Sequence, residues 1–142
     1  MTGGLATASF YNVAIVVSSI DRAVEWYGRV FGFVEQARGP IAEGTVALMN
    51  GAGVTLEILE WGLEEEPIRP EVLFADPPYH LLPVGNKILV FVVDDLSAAT
   101  AEFEERGVTI VWREKELAPG WRSTAIRDMD GNLINVFQRH AE

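Results

Sequence analysis

Hydrophobic positions follow the same order twice along this chain, and the repeat predicts its architecture. An apolar run at 13–17 precedes a helical pattern, and the same succession returns after a second apolar run at 88–93. Spacings of three, four and seven residues place side chains on one face of an amphipathic helix. The two sets with these spacings are Ile20, Ala23, Val24 and Tyr27, and Leu96, Ala99, Thr100 and Phe103.

Each predicted helix also carries signals for its start and its end. Ser18 and Asp94 are the predicted N-caps, and Gly32 and Gly107 stand where a left-handed C-cap is expected. Three strand-like segments follow each helix, at 33–37, 45–50 and 54–60 and again at 108–113, 122–128 and 133–139. Neither copy is long enough to be a comfortable domain, so we expect both to share a core and leave a cleft. The prediction is α+β: two βαβββ modules, at 8–60 and 87–139, in one domain spanning 1–142.

The segment at 61–86 breaks the repeat and joins its two copies. It holds five prolines and an unusual number of apolar and aromatic residues: Trp61, Val72, Leu73, Phe74, Tyr79, Leu81 and Leu82. Long structureless connections in compact domains are commonly mobile or functional. Two interpretations stand side by side. The segment is a lid folded over the mouth of the cleft, or it is a structural strap or subunit contact.

Composition narrows the classes of function. The 142 residues include no cysteine, which excludes a disulfide framework and thiolate chemistry. A net charge of -10 disfavours nucleic acid as a partner. It would draw a cationic ligand, although solubility alone also explains it. The absence of a signal-peptide pattern and of an apolar run of about 20 residues predicts a cytoplasmic protein without a membrane partner.

Two stretches resemble a known superfamily. They are SSIDRAVEWYGRVFGF followed by TLEILE, and VVDDLSAATAEFEERGV followed by RDMDGNLINVFQ. They are similar to the vicinal oxygen chelate superfamily, which groups glyoxalase I, bleomycin-resistance proteins and extradiol dioxygenases. The resemblance implies paired βαβββ modules that form a curled mixed sheet around a central cleft, and it implies a homodimer.

Metal-dependent members of that superfamily place four ligands on the first and last strands of the two modules. The resemblance puts these positions at Asn12, Glu57, Ile88 and Asn135. Only Glu57 is an ordinary ligand for a divalent transition metal, because such ions prefer imidazole, carboxylate or thiolate donors. We therefore expect that this chain has lost the metal site and needs no cofactor.

The cavity would remain without the metal. Period-two alternation from the four positions predicts a mostly apolar lining: Ala14, Val16, Thr55, Leu59, Val90, Val92, Leu133 and Phe137. An isolated carboxylate in such a lining is unfavourable unless Asn12, Asn135, Arg122 or a cationic ligand relieves it. Glu57 is accordingly interpreted in three ways: as a general acid or base, as the group that recognises a positive ligand, or as a structural relic.

Aromatic residues near the predicted rim offer stacking surfaces. Trp61, Trp112 and Trp121 are candidate ligand contacts, as is Tyr79 in the connecting segment, although packing would also explain the indoles. Trp26 is assigned to packing. His80 is a candidate acid or base because its ordinary pKa lies near neutrality, and a lone loop histidine is also commonly structural.

Two hypotheses follow. The first is a metal-independent small-molecule-binding protein that sequesters or carries an aromatic ligand, which can also be cationic, such as an antibiotic. The alternative is a metal-independent isomerase, lyase or cyclase, of the kind found in secondary metabolism, with Glu57 as general acid or base and His80 assisting. The first is favoured because it needs only the cleft, the aromatic rings and the acidity.

Overall fold

The computed structural model describes residues 4–7, 9–62, 68–85 and 88–140. The first module consists of β1 (Val13–Val16), α1 (Ile20–Phe31), β2 (Val34–Ile41), β3 (Gly44–Gly51) and β4 (Val54–Glu60). The second consists of β5 (Leu89–Val93), α2 (Leu96–Glu105), β6 (Thr109–Ala118), β7 (Trp121–Arg127) and β8 (Leu133–Gln138). The predicted α+β class with two βαβββ modules is confirmed. Residues 63–67 and 86 of the predicted connecting segment lie outside the described residues.

The strands form two four-stranded mixed sheets of the same topology. Sheet 1 has the order β1-β4-β3-β2 and sheet 2 the order β5-β8-β7-β6. The first strand of each module is parallel to the last, and the other pairs are antiparallel. β1 and β5 therefore lie at sheet edges. Because strand side chains alternate between faces, each sheet has one face covered by a helix and a second face, which we call its open face.

The helices begin one residue later than the sequence predicts. The N-caps are Ser19 and Asp95, whose side chains accept hydrogen bonds from the amides of Arg22 and Ala98. The predicted caps, Ser18 and Asp94, instead bind distant residues, as described below. The predicted left-handed positions are confirmed, with φ of 75° at Gly32 and 69° at Gly107. None of the described helices is long and apolar enough to cross a membrane.

The two modules share one core, built on their helix-covered faces. Phe31, the last residue of α1, stacks on Phe91 of β5 at 4.4 Å between ring centroids, and its ring also meets Phe103 of α2 edge to face at 5.8 Å. Trp26 is buried and packs edge to face on Tyr27, which confirms its assignment to packing. Offset and edge-to-face pairs add to the free energy of burial. The contacts of Phe31 join the helices to each other and to sheet 2.

Polar contacts join the modules at the turn between β7 and β8. The Tyr27 hydroxyl donates to Asp128 at 2.9 Å, and burial, with this carboxylate, raises the pKa of Tyr27 so that it stays protonated. The Ser18 amide donates to Asp130 at 3.1 Å, and the Ser18 hydroxyl donates to the same carboxylate. These partners fix α1 of the first module against the second.

The path of the backbone into the connecting segment requires glycine at two positions. Gly44 opens β3, and Gly62 lies just beyond β4. A Cβ atom at Gly44 would collide with the carbonyl oxygen of Glu60, and one at Gly62 would collide with the carbonyl oxygen of Glu43. The two backbones can approach so closely only because glycine has no side chain.

Candidate functional site

The open face of sheet 1 carries Glu57. Its neighbours across the sheet are Ala14 on β1 and Leu48 on β3, so a half-buried carboxylate lies between apolar side chains. Val16 pairs with Leu59 on the same face and is 65% exposed. This half of the site offers one anionic group on an apolar strip that solvent reaches.

The open face of sheet 2 carries Asn135, the counterpart of Glu57. Asn135 pairs with Ala125 on β7 and Val90 on β5. Val90 is 61% exposed, whereas Asn135 is only 8% exposed. The same face continues to the pair formed by Leu133 and Arg127. Toward β5 this half-site is therefore an apolar, exposed edge, and toward β7 it is covered.

The open face of sheet 2 carries the aromatic side chains of Trp112, Trp121 and Phe137. Trp112 pairs with Ala125, and its indole Nε1 donates to the Ser123 hydroxyl at 2.9 Å. Trp121 lies two residues before Ser123 and meets Phe137 edge to face at 5.8 Å. Trp121 is 47% exposed. The Trp121 ring also contacts His140, with 4.0 Å between ring centroids, and the Lys115 ammonium lies 5.4 Å from the Trp112 ring centroid. Ligand contact at these two rings stays a prediction.

Residues 68–85, which we call the strap, contact the end of β7 and the turn between β7 and β8. The Arg69 guanidinium donates to the carboxylate and to the backbone carbonyl oxygen of Asp130. It also lies over the Phe74 ring, 4.6 Å from the ring centroid. Asp76 forms an ion pair with Arg127 at 3.6 Å. These anchors hold the strap beside the turn between β7 and β8.

His80 is the buried residue of the strap, with 5% of its surface exposed. Desolvation, and then the positive charge of Arg127, lower the pKa of His80 below its usual range. The imidazole is therefore neutral at pH 7, with one donor and one acceptor nitrogen.

Stability is expected to fall with acidification because of this histidine. In the unfolded chain the imidazole titrates near pH 6.5, above its folded pKa, so the unfolded state takes up the proton first as pH falls. Its contribution to stability is full above about pH 6.5 and declines below it. His80→Leu should remove this part of the pH dependence between pH 7.5 and 5.5, as measured by urea unfolding. The exposed control Gln36→Leu should keep the wild-type slope, and equal slopes for both variants would contradict the assignment.

The structure divides the other predicted site residues between the sheets. Asn12 lies two residues before Ala14 and is half-buried, and Ile88 directly precedes β5. Trp61 follows β4 with 45% exposure, and Tyr79 in the strap is 62% exposed. Arg122, an expected partner of Glu57, instead pairs with Glu114 at 3.0 Å.

Two surface clefts lie away from Glu57 and Asn135. One, of about 570 Å³, lies between α1 and the segments Gly107–Thr109 and Arg127–Met129. The other, of about 350 Å³, is lined by Phe10, Tyr11 and the turn between β3 and β4. Neither includes Glu57 or Asn135 among its lining residues in the described part of the chain.

The donor set does not fit a divalent transition metal. The four positions implied by the resemblance offer one carboxylate, two neutral amides and the hydrocarbon side chain of Ile88. Across the described ranges, no group of three or more His, Cys, Asp or Glu residues could hold a metal ion.

Arg127 and Ser123 contact or lie near candidate site residues and are missing from the sequence prediction. Arg127 acts on His80 and binds the strap, and Ser123 holds the Trp112 indole. A signal for both was present. The DMDGN turn predicts a hairpin, and pairing its strands outward from the turn places Arg127 opposite Leu133 and Ser123 opposite Phe137.

Comparisons with known proteins identify a family and a shared fold. A model of the Glyoxalase/Bleomycin resistance protein/Dioxygenase superfamily matches residues 9–136. A glyoxylase/bleomycin resistance protein/dioxygenase domain from Frankia sp. EAN1pec is similar in structure, with a TM-score of 0.74, 18% identity and 95% of each chain covered. No curated protein matches the chain.

Two further solved structures share the fold. TioX from Micromonospora sp. ML1 has a TM-score of 0.65 and 23% identity, covering 94% of this chain and 100% of its own. TnmS3, an antibiotic binding protein from Streptomyces sp. CB03234, has a TM-score of 0.65 and 24% identity, covering 94% and 98%. The family match extends over nearly the whole chain, and the paired modules agree with it. The chain belongs to the Glyoxalase/Bleomycin resistance protein/Dioxygenase superfamily.

Proposed function

We propose that this protein is a metal-independent binder of an aromatic small molecule, such as an antibiotic, which it sequesters or carries. The proposal rests on the open face of sheet 2, where Trp112 lies beside Ala125 and Trp121 meets Phe137 edge to face. Small-molecule sites are commonly apolar surfaces with a few polar groups of fixed position. Stacking on such rings is tolerant of ligand identity, which suits sequestration.

Glu57 gives the proposed site a preference for positive charge. The carboxylate lies between Ala14 and Leu48, where surrounding hydrocarbon strengthens its attraction for a cation. The net charge of -10 also attracts cations at long range. A flat ligand with a cationic substituent would use both halves of the site. The description of TnmS3 as an antibiotic binding protein supports this class of ligand by analogy.

We further propose that the complete cleft forms in a homodimer. In the single chain the modules meet through their helix-covered faces, while Val16, Val90 and Val92 remain 65, 61 and 43% exposed on edge strands. A second copy that brings its β5 edge to β1 would cover these residues and set Glu57 opposite the aromatic face. A twofold axis would create two equal clefts. A cytoplasmic location stays a prediction from the sequence.

A ligand screen tests the proposed function. Thermal unfolding is followed with a panel of aromatic antibiotics in cationic and neutral forms, because a ligand at 100 times its dissociation constant stabilises the folded state by about 2.7 kcal/mol. We expect stabilisation by aromatic compounds and a stronger effect for cationic ones. Glu57→Gln should weaken cation binding about tenfold, as expected for a charged hydrogen bond, and leave neutral aromatics unaffected.

Two results would contradict binding as the function. If no compound in the panel stabilises the protein, the proposal is wrong. Chemical conversion of a bound compound, detected by chromatography and lost in Glu57→Gln while the compound still binds, would establish the alternative, an enzyme with Glu57 as general acid or base.

A further inference from the structure

The cleft at the turn between β3 and β4 combines exposed aromatic rings with a polar wall. Its volume is about 350 Å³, and Phe10 and Tyr11, which precede β1, line it together with residues 50, 51 and 53–55. Phe10 is 80% exposed and Tyr11 is 70% exposed. Burying an aromatic side chain is favourable, and both rings belong to one cleft. A flat ligand that enters this cleft would therefore cover the two rings together.

The cleft has room for a ligand because small residues form the turn. Ala52 and Gly53 both have a positive φ, of 49° and 77°, as in a two-residue hairpin turn. A Cβ atom added at Gly53 would meet no heavy atom within 4 Å, so the space beside this residue is open. A Cβ atom at Gly51 would collide with the Phe33 ring. Two of the lining residues thus contribute only backbone to the cleft.

Asn50 and Thr55 form the polar wall of the cleft. The two residues pair across β3 and β4, and the Thr55 hydroxyl donates to Asn50 Oδ1 at 2.9 Å. This hydrogen bond orients the amide, whose Nδ2 group has two donor hydrogens. The Asn50 side chain is exposed, so a ligand can reach it. The ligand group that complements Nδ2 is a hydrogen-bond acceptor, such as a carbonyl oxygen.

The charge beside the cleft selects the kind of acceptor. Glu57 follows Thr55 by two residues on the same face of sheet 1, a separation of roughly 7 Å along the strand. Its negative charge disfavours a carboxylate as the acceptor, and the net charge of -10 acts in the same direction. The acceptor is therefore neutral, as in a ketone or an amide.

We propose that this cleft is a subsite of the ligand site and that it binds an aromatic ring system carrying a neutral carbonyl group. Phe10 and Tyr11 contact the rings, and Asn50 Nδ2 donates to the carbonyl oxygen. Ligand pockets commonly measure roughly 300 to 1,000 Å³, so a cleft of this size suits a compact ring system. The inference rests on the proposed function and adds to it the chemical class of one end of the ligand.

Two probes of similar size test the donor role of Asn50. The full chain is titrated by equilibrium dialysis with 2-acetonaphthone and with 2-ethylnaphthalene, which keeps the rings and lacks the acceptor. Asn50→Asp keeps the acceptor for Thr55 and loses the Nδ2 donors. We expect it to lower the affinity for the ketone relative to the hydrocarbon about tenfold, because repulsion between two oxygen atoms replaces a hydrogen bond. Gln36→Glu makes the same change at an exposed position outside the cleft lining and should keep the wild-type ratio.

Phe10→Ala tests the aromatic wall with the same two probes. Both should bind about fivefold more weakly, because each loses its contact with the ring. The melting temperature without a probe should stay at the wild-type value, since Phe10 is exposed. Leu82→Ala removes an apolar side chain that is 71% exposed in the strap, and it should leave both affinities unchanged.

Three results would overturn the inference. They are a wild-type probe ratio in Asn50→Asp, wild-type affinities in Phe10→Ala, and a wild type that binds neither probe. The proposed function is tested separately by the panel of aromatic antibiotics. If Trp121→Ala weakens binding of panel compounds and Phe10→Ala does not, the ligand lies on sheet 2 alone, and the proposed function survives the loss of this subsite.

Discussion

Replacing Phe31 with alanine is expected to lower the free energy of unfolding by about 3 kcal/mol, near the lower end for loss of a core phenylalanine. The ring stacks on Phe91 and meets Phe103, so its loss opens a cavity between the two helices and β5. The residue is half-buried, which is why we expect the lower end. The melting temperature should fall by about 10 °C. Calorimetry and urea unfolding measure both quantities.

Phe10→Ala is the matched control for this change. Phe10 is 80% exposed ahead of β1, so the same substitution there should change the free energy of unfolding by less than about 0.5 kcal/mol. Because Phe31 joins both modules, its loss should destabilise them together and preserve a single unfolding transition. Similar losses in the two variants would show that the aromatic junction does not hold the modules together.

Val16→Asp and Val90→Asp should each convert the proposed homodimer into monomers. Each side chain lies on an exposed edge strand that the partner would cover, and a twofold interface would bury each new carboxylate twice. An unpaired buried charge destabilises the interface by about 3 to 5 kcal/mol, so the dissociation constant of the dimer should rise at least about 100-fold. Sedimentation equilibrium measures this change, and binding of aromatic ligands should weaken in parallel.

Val34→Asp provides the comparison for these two variants. Val34 is 59% exposed at the start of the opposite edge strand, β2, so it offers the same chemistry away from the proposed interface. We expect it to remain dimeric. A monomeric wild type, or equal dissociation in all three variants, would contradict the shared cleft.

Much of this fold could be predicted from sequence because its signals are local. Helical spacing around Ile20 and Leu96 depends on residues within two turns, and glycines at fixed offsets define the strand ends. The predicted strands at 33–37 and 108–113 are too short, since β2 reaches Ile41 and β6 reaches Ala118. Their extensions, at 38–41 and 114–118, are mostly exposed and carry no alternating hydrophobic pattern, so pairing with β3 and β7 maintains them.

The helix caps and the strap show where sequence information ends. Ser18 and Ser19 are equivalent as caps, and so are Asp94 and Asp95. Long-range partners decide between them. Ser18 donates to Asp130 and Arg139 donates to Asp94, so Ser19 and Asp95 remain as the caps.

The candidate site is limited in the same way. The resemblance to the superfamily implied that Glu57 and Asn135 line the cleft, and period-two alternation extended this prediction to their neighbours on the same face. The burial of His80 depends on Arg69 meeting Asp130 and Asp76 meeting Arg127, contacts between segments at least 50 positions apart. A periodic pattern of hydrophobic residues contains no information about such contacts.

The glycine pair at Gly44 and Gly62 gives a practical way to sort related chains. A backbone route that excludes any side chain at both positions is open only to sequences with glycine there. Superfamily members with larger residues at both positions must lead their intermodule connection along a different path. Genome surveys could use this two-position marker to separate proteins with a strap of this kind from those whose connection runs elsewhere.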